Sequence, residues 1–499
     1  MGKRFDVIAL TLVACGTSTA APVPGDAGRP IDAAPREASL HGDASPPPSG
    51  PALPVPPVGH QGRWLTDAAG RVLLVHGVNV VEKSAPYYPA AEGFAEADAV
   101  WLANNGFRAV RIGMLATGLM PTPGVVDTGY IQQLAATVSV LEQHSIFTIL
   151  DMHQDGWGPT VGSDGFPAWM TLTGDAGASD AGFPFYYEQS PALQQAFQSF
   201  WDDDVAPDGK GLQEDYAAMF SAVAKQFATE PYVLGYDLLN EPWPGTTWEP
   251  CLDDDGGCPS LDQSELAPAY AKAVAAIRAA GDQHVIFGEP FVLFNFGTVP
   301  ASIPVPGGDS NGGMAFHVYP VVESDAPDVV GQAVAWAAAS GGALLNTEWG
   351  ATTDTTVLTE TSLALDSALV PWIFWSFCCE LIPTFDGGPG GMNLVASTAA
   401  VLVQPYPLAV AGTPETMLLD PTARTLSFTW TTARAGGGKF AVGTVTTFEV
   451  PPLTYPAGYT VTALGGWVTS AACASLLTVQ AKPGAATVSV SIHPGGTCP

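Results

Sequence analysis

From residue 71 to residue 402 the chain alternates short, almost wholly apolar runs with longer stretches in which apolar positions recur three and four residues apart. That is the pattern of buried parallel strands joined by amphipathic helices. Eight runs read as strands: 72–80, 109–114, 147–153, 233–240, 284–289, 313–319, 343–348 and 371–377. Helical periodicity covers 95–105, 130–143, 212–229, 266–281, 329–340 and 357–366. After the fifth strand, Pro300, Pro304 and Pro306 leave little room for a helix. Eight strands in series, with helices in most gaps, predict an α/β protein built on a (β/α)8 TIM barrel over 59–412 rather than a doubly wound open sheet.

The first sixty residues follow other rules. Met1-Gly2-Lys3-Arg4 and the apolar run to Ala14 have the charged and hydrophobic regions of an export signal, although Asp6 interrupts the run. The run is too short to span a bilayer. Leu12-Val13-Ala14-Cys15 resembles the lipobox of bacterial lipoproteins, which implies lipidation at Cys15, a signal over 1–15 and a chain anchored at the bacterial cell surface or outer membrane. An ordinary cleaved signal with an incidental cysteine would make the protein secreted. Residues 16–58 are rich in Pro, Ala, Gly, Ser and Asp with hardly an aromatic, and read as a disordered tether.

Charge and cysteines narrow the picture. With 48 acidic and 17 basic residues among 499, the net charge of −31 repels phosphate backbones and excludes nucleic acid as an expected partner. Cys251 with Cys258 and Cys473 with Cys498 are the expected disulfides, as befits an oxidising compartment. The adjacent Cys378 and Cys379 stay ambiguous, because neighbours seldom bridge without strain. No zinc-ligand spacing appears, so no metal is implied.

The chemistry gathers at strand ends. Tyr236-Asp237-Leu238-Leu239-Asn240-Glu241-Pro242-Trp243 is a buried strand that stops at a proline and delivers an amide and a carboxylate. Other strand ends present Asn79 and then Lys83, Arg111, His153 and Asp155, Glu289, His317 and Tyr319, Glu348, and Trp375. Each has a plain structural excuse: Arg111 could pair with a core carboxylate, His153 could be a satisfied core histidine, Trp375 could simply pack. Their convergence on one rim of a barrel is what points to a site.

Arg111, His153, Asn240-Glu241-Pro242, His317-Val318-Tyr319, Thr347-Glu348-Trp349-Gly350 and Trp375 stand in the order and strand positions typical of glycoside hydrolase family 5, which the chain resembles across the whole barrel. The segments 79–83, 151–155, 235–243 and 404–414 look more narrowly like its endoglycoceramidase branch. That resemblance implies a C-terminal β-sandwich, which alternating strands at 425–430, 440–450 and 487–492 fit as a domain over 413–499. It implies no cofactor. It also implies retaining chemistry, with Glu241 as acid/base and Glu348 as nucleophile, two carboxyl groups about 5–5.5 Å apart. Arg111 and Tyr319 would aim Glu348, and His317 would tune Glu241. Asn240 would bind the sugar 2-hydroxyl, Trp375 its ring face, and Lys83, His153 and Asp155 the hydroxyls beside the scissile bond.

Rival carboxylates are Glu289 first, then Asp151, Asp237 and Glu380. An insertion at 156–210, rich in Trp, Phe and Tyr, reads either as an apolar lid for a lipid or as a local mini-core. The expected activity is endo-hydrolysis of the glycan–ceramide linkage of glycosphingolipids by a monomer. The same residues would serve on a glucan, simple glucosylceramide or sterol glucoside. A reading of another class is an inactive surface carbohydrate-binding protein. The sandwich could itself bind sugar with Trp430 and Trp467 as exposed platforms, although aromatic residues in a sandwich are more often core.

Overall fold

The computed structural model describes residues 49–252, 257–297, 299–320, 325–385, 388–389, 393–496 and 498. Cys15 and the signal therefore lie outside the described residues. The eight expected strands close a barrel: His76–Val80, Ala109–Leu115, Phe147–His153, Val233–Asp237, Val285–Gly288, Gly312–Val318, Ala343–Trp349 and Trp372–Phe374. They pair in sequence order, all parallel, and the eighth returns to the first with Trp372 opposite His76. The first strand can lie so close to its neighbours because Gly77 has no Cβ, which would collide with the Ala109 carbonyl and the Ile373 side chain.

Helices over Glu96–Asn104, Thr128–Gln143, Leu212–Phe227, Ala267–Ala279, Ala326–Ser340 and Thr355–Ser367 connect the strands. Their starts carry legible signals: Asp127 accepts from the amides of Gly129 and Tyr130, and Asp354 from that of Thr356. After the fifth strand the described residues form only short 3₁₀ turns, at Val292–Phe296 and Pro306–Gly308, as the prolines require.

Three boundaries differ from the sequence reading. The apolar run 72–80 divides: Val72–Leu73 pairs antiparallel with Tyr406–Val410, and only His76–Val80 enters the barrel. The sandwich consequently does not begin at 413. Its larger sheet runs Gly59–Gln61, Trp64–Thr66, Val72–Leu73, Tyr406–Val410, Val445–Glu449, Leu476–Ala481, Gly466–Val468, recruiting chain from before the barrel. Its smaller sheet runs Thr413–Asp420, Thr425–Thr431, Thr487–Pro494, Tyr459–Leu464. An apolar run looks the same whichever sheet buries it, so patterning cannot assign it. The tether also ends earlier than residue 58. The buried Arg71 guanidinium donates to the carbonyls of Pro51, Ala52 and Leu53, and Thr447 Oγ1 to Ala52. Bonds to main-chain carbonyls help to order the end of a segment that composition marks as unable to bury enough apolar surface to fold.

Ile149, Phe287, Leu345 and Ile373 inside the barrel share one apolar cluster with Leu73, Leu408, Phe428 and Phe448 of the sandwich. Trp430 is fully buried in that cluster, which removes it as a sugar platform. The insertion folds as a mini-core: Trp157 stacks on Phe166 at 4.2 Å and meets Phe197 edge-on, with all three buried. Phe183, at 39%, and Val205, at 68%, are its exposed large apolar side chains among the described residues. Cys251 pairs with Cys258 and Cys473 with Cys498.

Candidate active site

The fourth strand stops at Asp237, and four residues later Glu241 adopts φ = 44°, in the left-handed region that non-glycine residues avoid. Such a backbone costs about 1–3 kcal/mol and persists only where its surroundings over-determine it. Here the Glu241 amide donates to Glu289 Oε2 at 2.9 Å, and its carbonyl accepts from Gln154 Nε2 at 3.0 Å. The side chain is held as firmly. Asn295 Nδ2 donates to Glu241 Oε1 at 2.9 Å, and His317 Nδ1 lies 2.7 Å from the same oxygen. With Oε1 taken by two donors, a proton carried by Glu241 sits on Oε2.

Glu348 reaches the rim by a different device. In the seventh strand the register slips between Asn346, opposite Phe316, and Glu348, opposite His317, so Thr347 is bulged out. Asn346 Nδ2 bridges the carbonyls of Phe316 and Glu348, and Asn79 Nδ2 donates to that of Thr347, which pins the bulge. The re-aimed carboxylate accepts from Arg111 Nη1 at 2.6 Å and Tyr319 OH at 3.1 Å. Oxygens of Glu241 and Glu348 lie within 4.8 Å of each other, with a His317 nitrogen in the same group.

Arg111, wholly buried, is the hub: beyond Glu348 it meets Asp151 at 3.0 Å, Asp237 at 3.0 Å and Glu289 at 3.1 Å, and it donates to Asn240 Oδ1 at 2.9 Å. Burial raises Glu348 to about 6, against the opposing pull of His317 and Arg111. Burial disfavours charge on His317, but Glu289 and Glu348 outweigh it and hold the imidazolium well above its ordinary range. Glu289 goes the other way: despite burial, His317 and Arg111 keep it ionised below the usual carboxylate range.

A second cluster flanks the first. Lys83 Nζ pairs with Asp155, and Asp164 Oδ2 lies 3.8 Å from the same ammonium. His153 Nδ1 lies 2.7 Å from Asp151, with Nε2 3.6 Å from Asp155. Burial opposes charge on His153, yet Asp151 pushes it up to about 10. The half-buried Trp375 stacks on the His153 ring at 5.4 Å, with Lys83 Nζ 4.9 Å from its centroid. Spacing alone would let His153, Asp155 and Asp164, or Glu241, His317 and Glu348, hold a metal. Both sets already contain or touch a resident cation, Lys83 and His153 in one and Arg111 and His317 in the other, so their donors are engaged.

All ten residues expected to act on the sugar thus fall into two touching clusters on one rim. Asn240 differs in detail: its oxygen accepts from Arg111 and its nitrogen donates to the Gln154 carbonyl. The rival carboxylates have structural partners. Glu289 holds Arg111, His317 and the Glu241 amide, Asp151 and Asp237 serve Arg111, and Glu380 binds the Ser376 amide and hydroxyl. Asn295, Gln154 and Asp164 escaped the sequence reading. Asn295 had a signal, as a lone amide in the apolar run Val292-Leu293-Phe294-Asn295-Phe296.

Such an arrangement pairs one carboxylate fixed by a cation and a hydroxyl with a second carboxyl whose proton has a defined oxygen. Residues 67–380 match the cellulase family (glycosyl hydrolase family 5), and residues 404–492 match the glycoside hydrolase family 5 C-terminal domain. Endoglycoceramidase I of Rhodococcus hoagii is 31% identical over 471 residues, covering 90% of each chain. The solved endo-glycoceramidase II from Rhodococcus sp. superposes with a TM-score of 0.71 at 25% identity, over 87% of this chain and 100% of that one. Its ganglioside GM3 complex gives 0.70 at 25% identity, over 87% of this chain and 99% of that one. On the extent of these matches, spanning both the barrel and the sandwich behind it, the chain belongs to glycoside hydrolase family 5.

Proposed function

We propose that the protein is a retaining endo-β-glycosidase that hydrolyses the linkage between glycan and ceramide in glycosphingolipids. The observation that carries the chemistry is the approach of Glu241 and Glu348 oxygens within 4.8 Å, the close spacing of a nucleophile and an acid/base rather than the wider one that admits water between them. The likeness over 90% of its length to an endoglycoceramidase supports the substrate.

In the first step a Glu348 oxygen attacks the anomeric carbon while the Glu241 proton passes from Oε2 to the departing ceramide oxygen. The glycosidic bond breaks and a glycosyl ester forms. Arg111 and Tyr319 orient the attacking carboxylate. In the second step Glu241, now ionised, takes a proton from water, whose oxygen attacks the same carbon and releases Glu348. Lys83, His153, Asp155, Asn240 and Trp375 line the sugar side. Export and anchoring through Cys15 are part of the same proposal, supported by the charged and apolar N-terminal regions ahead of that cysteine.

The test offers ganglioside, glucosylceramide and a soluble aryl β-glucoside to the full chain in detergent, with products read by mass spectrometry and Glu348→Gln as control. Intact oligosaccharide released from ganglioside, and lost in the variant, is the expected result. Hydrolysis confined to monosaccharide glycosides would overturn the endo-glycolipid assignment and leave the retaining chemistry standing.

A further inference from the structure

The eighth strand ends at Phe374, and the chain turns back over Phe377–Leu381 with the adjacent Cys378 and Cys379 at its outer side. Successive side chains of an extended segment point to opposite faces. These two do not: their Sγ atoms lie 2.8 Å apart, closer than two thiols pack. Cys379 is exposed and Cys378 half-buried, so a reagent in solution reaches the pair. Both other cysteine pairs among the described residues are disulfides, which places the fold in an oxidising setting. The turn closes on itself without the sulfurs. Ser376 Oγ, with one proton to give, lies 2.6 Å from the Cys378 carbonyl oxygen and 2.8 Å from Glu380 Oε2, and the Ile382 amide donates to the Phe377 carbonyl at 2.8 Å. The thiols are therefore brought together by the backbone before any bond joins them, which is the arrangement an intramolecular disulfide needs.

We propose that Cys378 and Cys379 form a reversible vicinal disulfide that braces the turn behind Trp375, the aromatic face of the site. The oxidant is a disulfide, either small or carried by a dithiol oxidase of the export compartment. The exposed Cys379 thiolate attacks one of its sulfurs, forming a mixed disulfide and expelling one thiolate. Cys378 then attacks Cys379 Sγ, closing the intramolecular bond and expelling the second. The protein gives up two electrons and two protons, and the oxidant becomes two thiols. Trp375 is anchored on its barrel side by its amide to the Trp349 carbonyl and by its own carbonyl to the Ala351 amide. Its other side hangs on this turn, so oxidation sets how rigidly the indole is presented.

Two measurements test this, and only the second depends on the proposed activity. The exported full chain is denatured in acid without reductant, alkylated with iodoacetamide, digested and read by mass spectrometry. The peptide spanning 378–379 is expected without label and lighter than the dithiol by two hydrogens, and to take two labels once reduced. Label on both cysteines without reductant would overturn the proposal. Turnover of an aryl β-glucoside is then compared with and without reductant in the wild type and in the Cys378→Ser, Cys379→Ser double variant, which retains the other two disulfides. Reductant is expected to raise KM severalfold, with kcat little changed, in the wild type alone. An equal response in both proteins would overturn the bracing role.

Discussion

The two ends of the barrel both bury charge, and they do so differently. At the end facing the sandwich, charges pair one to one, Arg71 with Asp67 at 2.8 Å and Arg108 with Glu449 at 2.6 Å, while burial lowers the pKa of His76, 3.3 Å from Asp366, and favours its neutral form. At the other end one guanidinium, Arg111, faces Asp151, Asp237, Glu289 and Glu348, beside a left-handed Glu241 and a bulged strand. A buried ion pair that only closes a fold needs a partner of opposite sign and the remaining hydrogen bonds. A site that moves a proton needs acidic groups in excess and held apart in character, one ionised and one protonated. Charge ratio and backbone strain, more than burial, separate the catalytic end from the structural one.

The comparison breaks most sharply at Glu241. Glu241→Gln is expected to lower kcat on ganglioside by about 10²–10⁴-fold, the usual worth of general acid–base catalysis, while formation of the glycosyl ester from an activated aryl glycoside is spared. Steady-state and burst kinetics on the two substrates check this, and equal losses on both would remove Glu241 as the acid. At the structural end, Glu449→Gln strands Arg108 and should cost about 3–5 kcal/mol of stability. Denaturant titration reads that loss, with kcat/KM of the folded fraction unchanged. Asn295→Ala sits between the two. It removes a bond to Glu241 Oε1 worth about 1.5–3 kcal/mol, so kcat should fall about tenfold to a hundredfold, partly restored in Asn295→Gln, with little change in melting temperature.

The same contrast explains what was legible in the sequence. Glu241 and Glu348 announced themselves because polar residues that end apolar runs in a barrel project onto one rim. Arg111, His153 and His317 were legible for the same reason. Asn295 showed only as a lone amide in an apolar run and could not be placed at the site, because it arrives from a 3₁₀ turn after the fifth strand, whose direction no periodicity records. Glu289 was visible but ambiguous. Only the geometry shows that it holds the Glu241 amide and the His317 ring instead of competing with them. At the structural end the signal was weakest: Arg71 holds residues 51–53 through main-chain carbonyls, and main-chain acceptors are common to every sequence.

The smallest expected effect concerns pH, and it joins the two sides of the comparison in one residue. Burial raises Glu348 to about 6, so attack on the anomeric carbon is lost as pH falls through about 6, and kcat/KM should decline there about tenfold per pH unit. Stability runs in the opposite sense. A carboxyl that holds its proton more tightly when folded than when unfolded, where it titrates near the ordinary 4.5, makes its contribution below that value and loses it as pH rises through about 6. Over that window the ionisation that activates Glu348 also destabilises the fold around it, the reverse of a carboxylate kept only for an ion pair. Tyr319→Phe sharpens the point by removing the hydroxyl that donates to Glu348 Oε2 at 3.1 Å. Losing a donor to the ionised form raises the pKa further, so the acid limb of a kcat/KM profile on aryl β-glucoside should move to higher pH. A limb that stayed in place or moved down would show that the Tyr319 hydroxyl does not favour the ionised form, leaving His317 and Arg111 to oppose burial at Glu348.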